Sequence, residues 1–152
     1  GCGCTGRLID LLLKEGFKPE GLDISSQMLA LAKAKHPQLT FHHADICEWQ
    51  PQKNYHFVSA WDSFWHIPLS EQTNVLSKIF DVLSVGGIFI FSFGGTQEAG
   101  ERLDCYMGPQ MYSATLGLNG YLSFFTQKNC LIRHLEFDQP TGDHAYLIVE
   151  KT

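Results

Sequence analysis

The chain has 152 residues, 44% hydrophobic and 18% charged, and a net charge of −5. That balance gives a single globular domain with a core of its own, not a disordered polyelectrolyte. The acidic excess disfavours a nucleic-acid backbone as the main partner, because phosphate contacts need clustered Lys and Arg, and no apolar run reaches the roughly 20 residues of a membrane span.

The chain opens on "GCGCTGRLID", a glycine-rich loop running into a helix. "RLIDLLLKEG" predicts that helix, with Leu8, Leu11, Leu12 and Leu13 toward one face and Gly16 as its C-cap. "KPEGLDI" predicts a short strand ending near Asp23. "SSQMLALAKAKH" predicts a helix capped by Ser25 or Ser26, with Met28, Leu29 and Ala32 on one face and Pro37 as its stop. "LTFHHAD" reads as a strand ending at Asp45, and its alternation sends His42 and His43 to opposite faces, against a joint metal site. "NYHFVSAWD" is a further strand, aromatic and β-branched.

Ser70 is placed to cap a helix over 70–83, where Leu76, Ile79, Phe80 and Leu83 repeat at helical spacing. "GGIFIFSFGG" is nearly continuous apolar, as in a parallel strand covered on both faces. Over 96–111 the pattern fades into a loop long enough to act as a lid or binding segment. A helix follows over 118–128, then two strands, "LIRHLEFD" and "AYLIVEK", as an antiparallel hairpin with Gly142 in its turn. The alternation of strands and helices predicts a doubly wound, mostly parallel α/β sheet. The five cysteines (Cys2, Cys4, Cys47, Cys105, Cys130) are an odd number without scaffold spacing, which reads as a reducing, cytoplasmic setting. Cys2-x-Cys4 reads as small residues in a turn, since no second ligand pair follows.

Gly1, Gly3 and Gly6 permit close backbone approach, and the helix start after them offers N–H groups to a phosphate or carboxylate. Asp23, at the end of the second expected strand, can accept both hydroxyls of a ribose. At this point a dinucleotide cofactor and S-adenosylmethionine fit equally well.

At "GCGCTGRL…GLDISSQML…HHAD…FVSAWDSFWHIP…LSVGGIFIFS" the sequence resembles class I S-adenosylmethionine-dependent methyltransferases of the small-molecule type, and the closing helix and hairpin resemble them more loosely. The resemblance implies a Rossmann-like sheet in the order 3-2-1-4-5-7-6 with its last strand antiparallel. It implies methyl transfer from S-adenosyl-L-methionine to a small-molecule acceptor by in-line displacement, with S-adenosyl-L-homocysteine as product. Gly1, Cys2, Gly3 and Gly6 would pass under the methionine part of the cofactor. Asp23 would bind the ribose, Ile24 and Met28 would flank the adenine, and Asp45 and the Ile46 amide would meet its edge. Trp61 and Asp62 would line the methionine end and the donor methyl. An aromatic face near that sulfonium is worth ~0.5–2 kcal/mol.

A base is needed only for an acceptor that is a poor nucleophile at neutral pH, and the candidates are His66, Tyr106, Tyr112 and His144. "WDSFWH" lacks the Asn/Asp-Pro-Pro-aromatic pattern of base-amino methyltransferases, which together with the charge favours a small acceptor. The alternatives are an NAD(P)-dependent Rossmann oxidoreductase, which gives no role to Asp45 or "WDSFWHIP", and a non-catalytic fragment. The glycine loop has one residue more than the family's commoner GxGxG, and Val85 replaces a frequent proline. The strand that should precede Gly1 is not among the 152 residues, so they are expected to be an N-terminally truncated view of a single methyltransferase domain, its sheet lacking the first, central strand. About four buried side chains at ~1.5–3 kcal/mol each would go with it, a loss that rivals the ~5–15 kcal/mol stability of a domain. Such a slot would admit another chain, giving a homo-oligomer through the incomplete sheet.

Overall fold

The computed structural model describes residues 7–105, 108–140 and 143–152. The chain forms two compact units, Gly1–Gln50 and Pro51–Thr152.

The first unit runs α1 (Arg7–Lys14), β1 (Glu20–Asp23), α2 (Ser26–Lys35) and β2 (Thr40–His43). Gly16 ends α1 at φ 82, and the Gly16 and Phe17 amides donate back to Leu13 and Leu12 at 3.1 and 2.9 Å. That is the paired-bond C-cap that glycine's tolerance of positive φ allows. The predicted apolar face needs correction: Ile9 is the buried residue, with Leu12 and Leu13 half-buried, while Leu11 is 52% exposed. Ile9, Leu12 and Leu13 share a stripe at i, i+3 and i+4, and Leu11, two residues from Ile9, points elsewhere. Ser25 caps α2 by accepting the Met28 amide at 3.3 Å, and Leu29 and Ala32 are buried. Met28, predicted on that buried face, is 39% exposed. β1 and β2 pair in parallel, Asp23 opposite His43, with α2 as the crossover that parallel pairing requires.

The second unit begins with β3 (Tyr55–Ala60), a 3₁₀ turn (Phe64–His66) and α3 (Leu69–Val82). Then come β4 (Leu83–Gly94), β5 (Gly100–Asp104), β6 (Met111–Thr115), α4 (Gly117–Gln127), β7 (Leu131–Glu136) and β8 (His144–Glu150). The main sheet has the order β3-β4-β8-β7, with β3 and β4 parallel and the other two pairs antiparallel. Together with β1-β2, these pairings reproduce the 3-2 and 4-5-7-6 parts of the expected order.

Phe89, Phe91 and Phe93 alternate along β4 and are fully buried on one face of the sheet. Phe89 stacks on Phe91 at 4.8 Å, and Phe64, Tyr121 and Phe125 close the cluster. On the other face Ile88 and Ile90 are only half-buried, so the near-continuous apolar run is fully covered on one side only.

Two further expectations fail for identifiable reasons. Ser70 does not cap α3. The helix starts at Leu69 after Pro68, and the Tyr112 hydroxyl accepts the Leu69 amide at 3.0 Å. A side chain 43 residues away thus satisfies one of the amides that a helix start leaves open. The segment predicted as a loop over 96–111 contains a strand: β5 pairs antiparallel with β6, from Gly100↔Thr115 to Asp104↔Met111. Four of the five β5 residues are exposed, so the strand carries no hydrophobic alternation to read; it is held by its backbone ladder and by side-chain bonds across it, Arg102 Nε to Ser113 Oγ at 3.2 Å and the Tyr112 hydroxyl to Glu101 at 2.7 Å.

Gln72 on α3 is fully buried. Its amide donates to the carbonyls of Ala114 (2.9 Å) and Ile67 (3.2 Å), and its oxygen accepts from the Tyr121 hydroxyl at 2.9 Å. Burial pushes Tyr121 up to about 12 from 10.0. The folded state favours the neutral phenol, so its contribution is whole below pH 10 and lost as pH rises toward 12. Denaturation midpoints of the wild-type chain are expected to fall between pH 10 and 12 more steeply than those of Tyr121→Phe. Parallel slopes would count against that coupling.

Candidate functional site

In the first unit, two carboxylates stand at the ends of adjacent parallel strands. Asp23 closes β1 and is buried; its Oδ1 accepts the Ser25 amide at 2.9 Å. Asp45 lies two residues past β2, half-buried, and its Oδ1 accepts the Cys47 amide at 2.8 Å. Each side chain is therefore oriented by the amide two residues on, a local turn that Asp forms readily. Ile24, at 66%, and Met28 leave large apolar surface exposed next to this edge, and Ile46 is half-buried. His42 meets Glu20 at 3.2 Å and His43 meets the Ile24 carbonyl at 3.0 Å, so the two rings serve separate contacts. Gly1, Cys2, Gly3 and Gly6 lie outside the described residues, as do Tyr106 and Gly142.

The carboxyl edge of a parallel sheet is where α/β folds bind ligands. Carboxylates there accept from hydroxyl and amino groups, and exposed aliphatic side chains can lie against a flat ring. These acceptors and apolar faces fit the hydroxyl and amino groups and the ring of an adenosine.

In the second unit, β3 runs out into a turn that begins with Trp61 and Asp62. Asp62 adopts φ 50, unusual for a residue with a side chain. Its amide donates to Ser92 Oγ at 2.8 Å, and that hydroxyl donates to Asp62 Oδ1 at 3.3 Å. His144 places Nε2 3.2 Å from the same Oδ1 and Nδ1 against Asp138. Trp61, 41% exposed, packs on Tyr146 at 5.1 Å and on His144 at 6.0 Å between ring centres. Trp65 lies 5.5 Å from the His144 ring.

His66 and Tyr112 form a second group. The Trp65 indole donates to His66 Nε2 at 3.2 Å, so the other ring nitrogen, Nδ1, is the one that donates to the Tyr112 carbonyl at 3.1 Å. The Tyr112 hydroxyl donates to Glu101 at 2.7 Å, and this bond raises its pKa above the ordinary phenol value. A cavity of about 430 Å³ beside them is lined by Pro68, Leu69, Ser70, Glu101 and Tyr112.

The structure thus joins His144 to Trp61 and Asp62, and His66 to Tyr112, with Trp65 between the two groups. Sequence reading missed Ser92 and Asp138. Ser92 left a signal: it is the single hydroxyl in the apolar run "IFIFSF", and a buried hydroxyl needs a partner. Asp138, in a polar stretch, left none.

Residues 1–87 match a family described as a methyltransferase domain. A candidate methyltransferase of Geobacillus sp. (strain WCH70) is 32% identical over 104 residues, which make up 64% of this chain and 42% of that relative. The chain therefore spans less than half the length of the curated relative it matches. Among solved structures, a candidate S-adenosylmethionine-dependent methyltransferase from Listeria monocytogenes has a similar fold. It gives a TM-score of 0.82 at 18% identity, with 100% of this chain and 88% of that one covered. CalS10 from Micromonospora echinaspora, an amino pentose methyltransferase involved in calicheamicin biosynthesis and solved with S-adenosylmethionine, gives 0.75 at 16%, covering 100% and 81%. These likenesses bear out the Rossmann-like fold, and the family match runs against the oxidoreductase alternative. With more than half its length inside the matched segment, the chain belongs to the methyltransferase-domain family.

Proposed function

We propose that the protein transfers a methyl group from S-adenosylmethionine to a small-molecule acceptor. The observation that carries this reading is the pair of oriented carboxylates, Asp23 and Asp45, at adjacent strand ends within the matched segment. Asp23 would hold the ribose hydroxyls, and Asp45 with the Ile46 amide the adenine edge. Ile24 and Met28 would supply the apolar faces of the ring. Gly1, Cys2, Gly3 and Gly6 keep the role the resemblance gives them, below the methionine part. In the second unit, Trp61 and Asp62 are assigned to the donor-methyl end.

When bound, the cofactor supplies an electrophilic methyl on a sulfonium, so the chain's work is to bind, orient and exclude water. Both nitrogens of His66 are engaged by protein groups, and the Tyr112 hydroxyl is committed to Glu101. Those contacts favour His66 and Tyr112 as walls that shape an acceptor pocket, and an acceptor that attacks without a dedicated base. A cytoplasmic location is part of this proposal. It is supported by the odd cysteine count without scaffold spacing. A small acceptor rather than nucleic acid likewise belongs to this proposal.

Calorimetric titration with S-adenosylhomocysteine and, separately, NAD tests the reading. Saturable binding of S-adenosylhomocysteine without a response to NAD is the expected result. NAD binding alone would overturn it, and silence to both would favour a fragment that binds no cofactor.

A further inference from the structure

We propose that Ser92 and His144 are positioning residues that lock the Trp61–Asp62 turn in its left-handed conformation. Their role toward the donor methyl rests on the function proposed above. Asp62 pays a steric cost at φ 50, and its side chain is 61% exposed, so water alone would leave the turn free to relax. The groups that hold it are buried: Ser92 is 0% and His144 8% exposed.

Ser92 grips both the backbone and the side chain of the same residue, through its oxygen and its proton. His144 takes the same carboxylate oxygen from the other side, and Asp138 fixes the far nitrogen of its ring. The chain Asp138–His144–Asp62–Ser92 therefore ties the segment after β7, the start of β8 and the C-terminal part of β4 to the turn after β3. The His144 ring also touches the rings of Trp61 and Trp65, so holding the imidazole holds the indoles. Because carboxylates face both of its nitrogens, His144 has no open position from which to take a proton from an acceptor. This replaces its assignment as a base. Ser92 was not assigned any role from the sequence.

The test uses Ser92→Ala, Ser92→Thr and Asp138→Asn in the full chain, with two readouts besides thermal melting. One is the hydrogen-exchange rate of the Asp62 amide by NMR; the other is S-adenosylhomocysteine affinity by calorimetry. Ser92→Ala is expected to speed Asp62 exchange about tenfold and weaken binding about tenfold, the scale of one lost hydrogen bond. Ser92→Thr, which keeps the hydroxyl, restores both. Asp138→Asn gives smaller changes in the same direction and keeps the claim open to test if Ser92→Ala does not fold.

Unchanged Asp62 exchange in Ser92→Ala and Asp138→Asn would overturn the lock. Faster exchange with unchanged affinity would overturn the link to the donor end. If the wild-type chain binds no S-adenosylhomocysteine, the proposed function and that link fall together, while the exchange rates still decide the lock.

Discussion

Phe91→Ala is expected to cost about 3–5 kcal/mol of stability, the range for a large aromatic removed from a well-packed core. Phe91 is fully buried and is the hub of the aromatic cluster, with ring centres of Phe89, Phe64, Tyr121, Phe93 and Phe125 at 4.8 to 5.9 Å. It sits on β4, which is hydrogen-bonded on both sides, to β3 at Ala60 and to β8 at Leu147. A strand held on both edges cannot close in on the space left behind, so the cavity term should approach its full size. Urea denaturation checks this, with Phe124→Ala as the comparison, since Phe124 is only half-buried and should cost less. A loss below about 1.5 kcal/mol for Phe91→Ala would mean that the core repacks, as cores do for volume-conserving swaps. The loss should also reach the site, because Phe64 anchors the 3₁₀ turn that carries Trp65 and His66.

The second large effect concerns ligand affinity. Asp23→Ala is expected to weaken S-adenosylhomocysteine binding about 100-fold, because hydrogen bonds to a charged group contribute roughly 1.5–3 kcal/mol. Asp23→Asn keeps one carbonyl oxygen for the Ser25 amide and is the better test of charge, since the local turn survives. It should weaken binding by an intermediate factor with no change in melting temperature. Calorimetry on the three chains decides the matter: affinities within twofold of wild type would remove Asp23 from the ribose role.

Much of the fold was legible wherever one residue type dictates a local geometry. Gly16 ends α1 as predicted because only a residue tolerant of positive φ accepts both return bonds there. Ser25 caps α2 because its hydroxyl reaches the Met28 amide. The α/β class followed from the alternation of strands with helices, and the strand order from the family resemblance. What escaped depends on partners distant in sequence. Tyr112 takes the capping role expected of Ser70, and β5 pairs with β6 through its backbone and polar side chains, with no apolar pattern to announce it. The same holds for the site. Asp23 and Asp45 announce themselves by standing at strand ends, whereas Asp138 gains its part only when β8 brings His144 beside it.

The sheet order also constrains how the second unit is made. Among the described residues β7 pairs only with β8, and β8 lies between it and β4. On the ribosome, residues 131–136 emerge first and have no strand to join until 144–150 follow. Until then Leu131, Ile132 and Leu135, still more than a third exposed in the finished fold, face the nascent-chain environment without a backbone partner. The last described strand is therefore a keystone: its arrival admits β7 to the sheet and, through His144, fixes the turn after β3 in the same step.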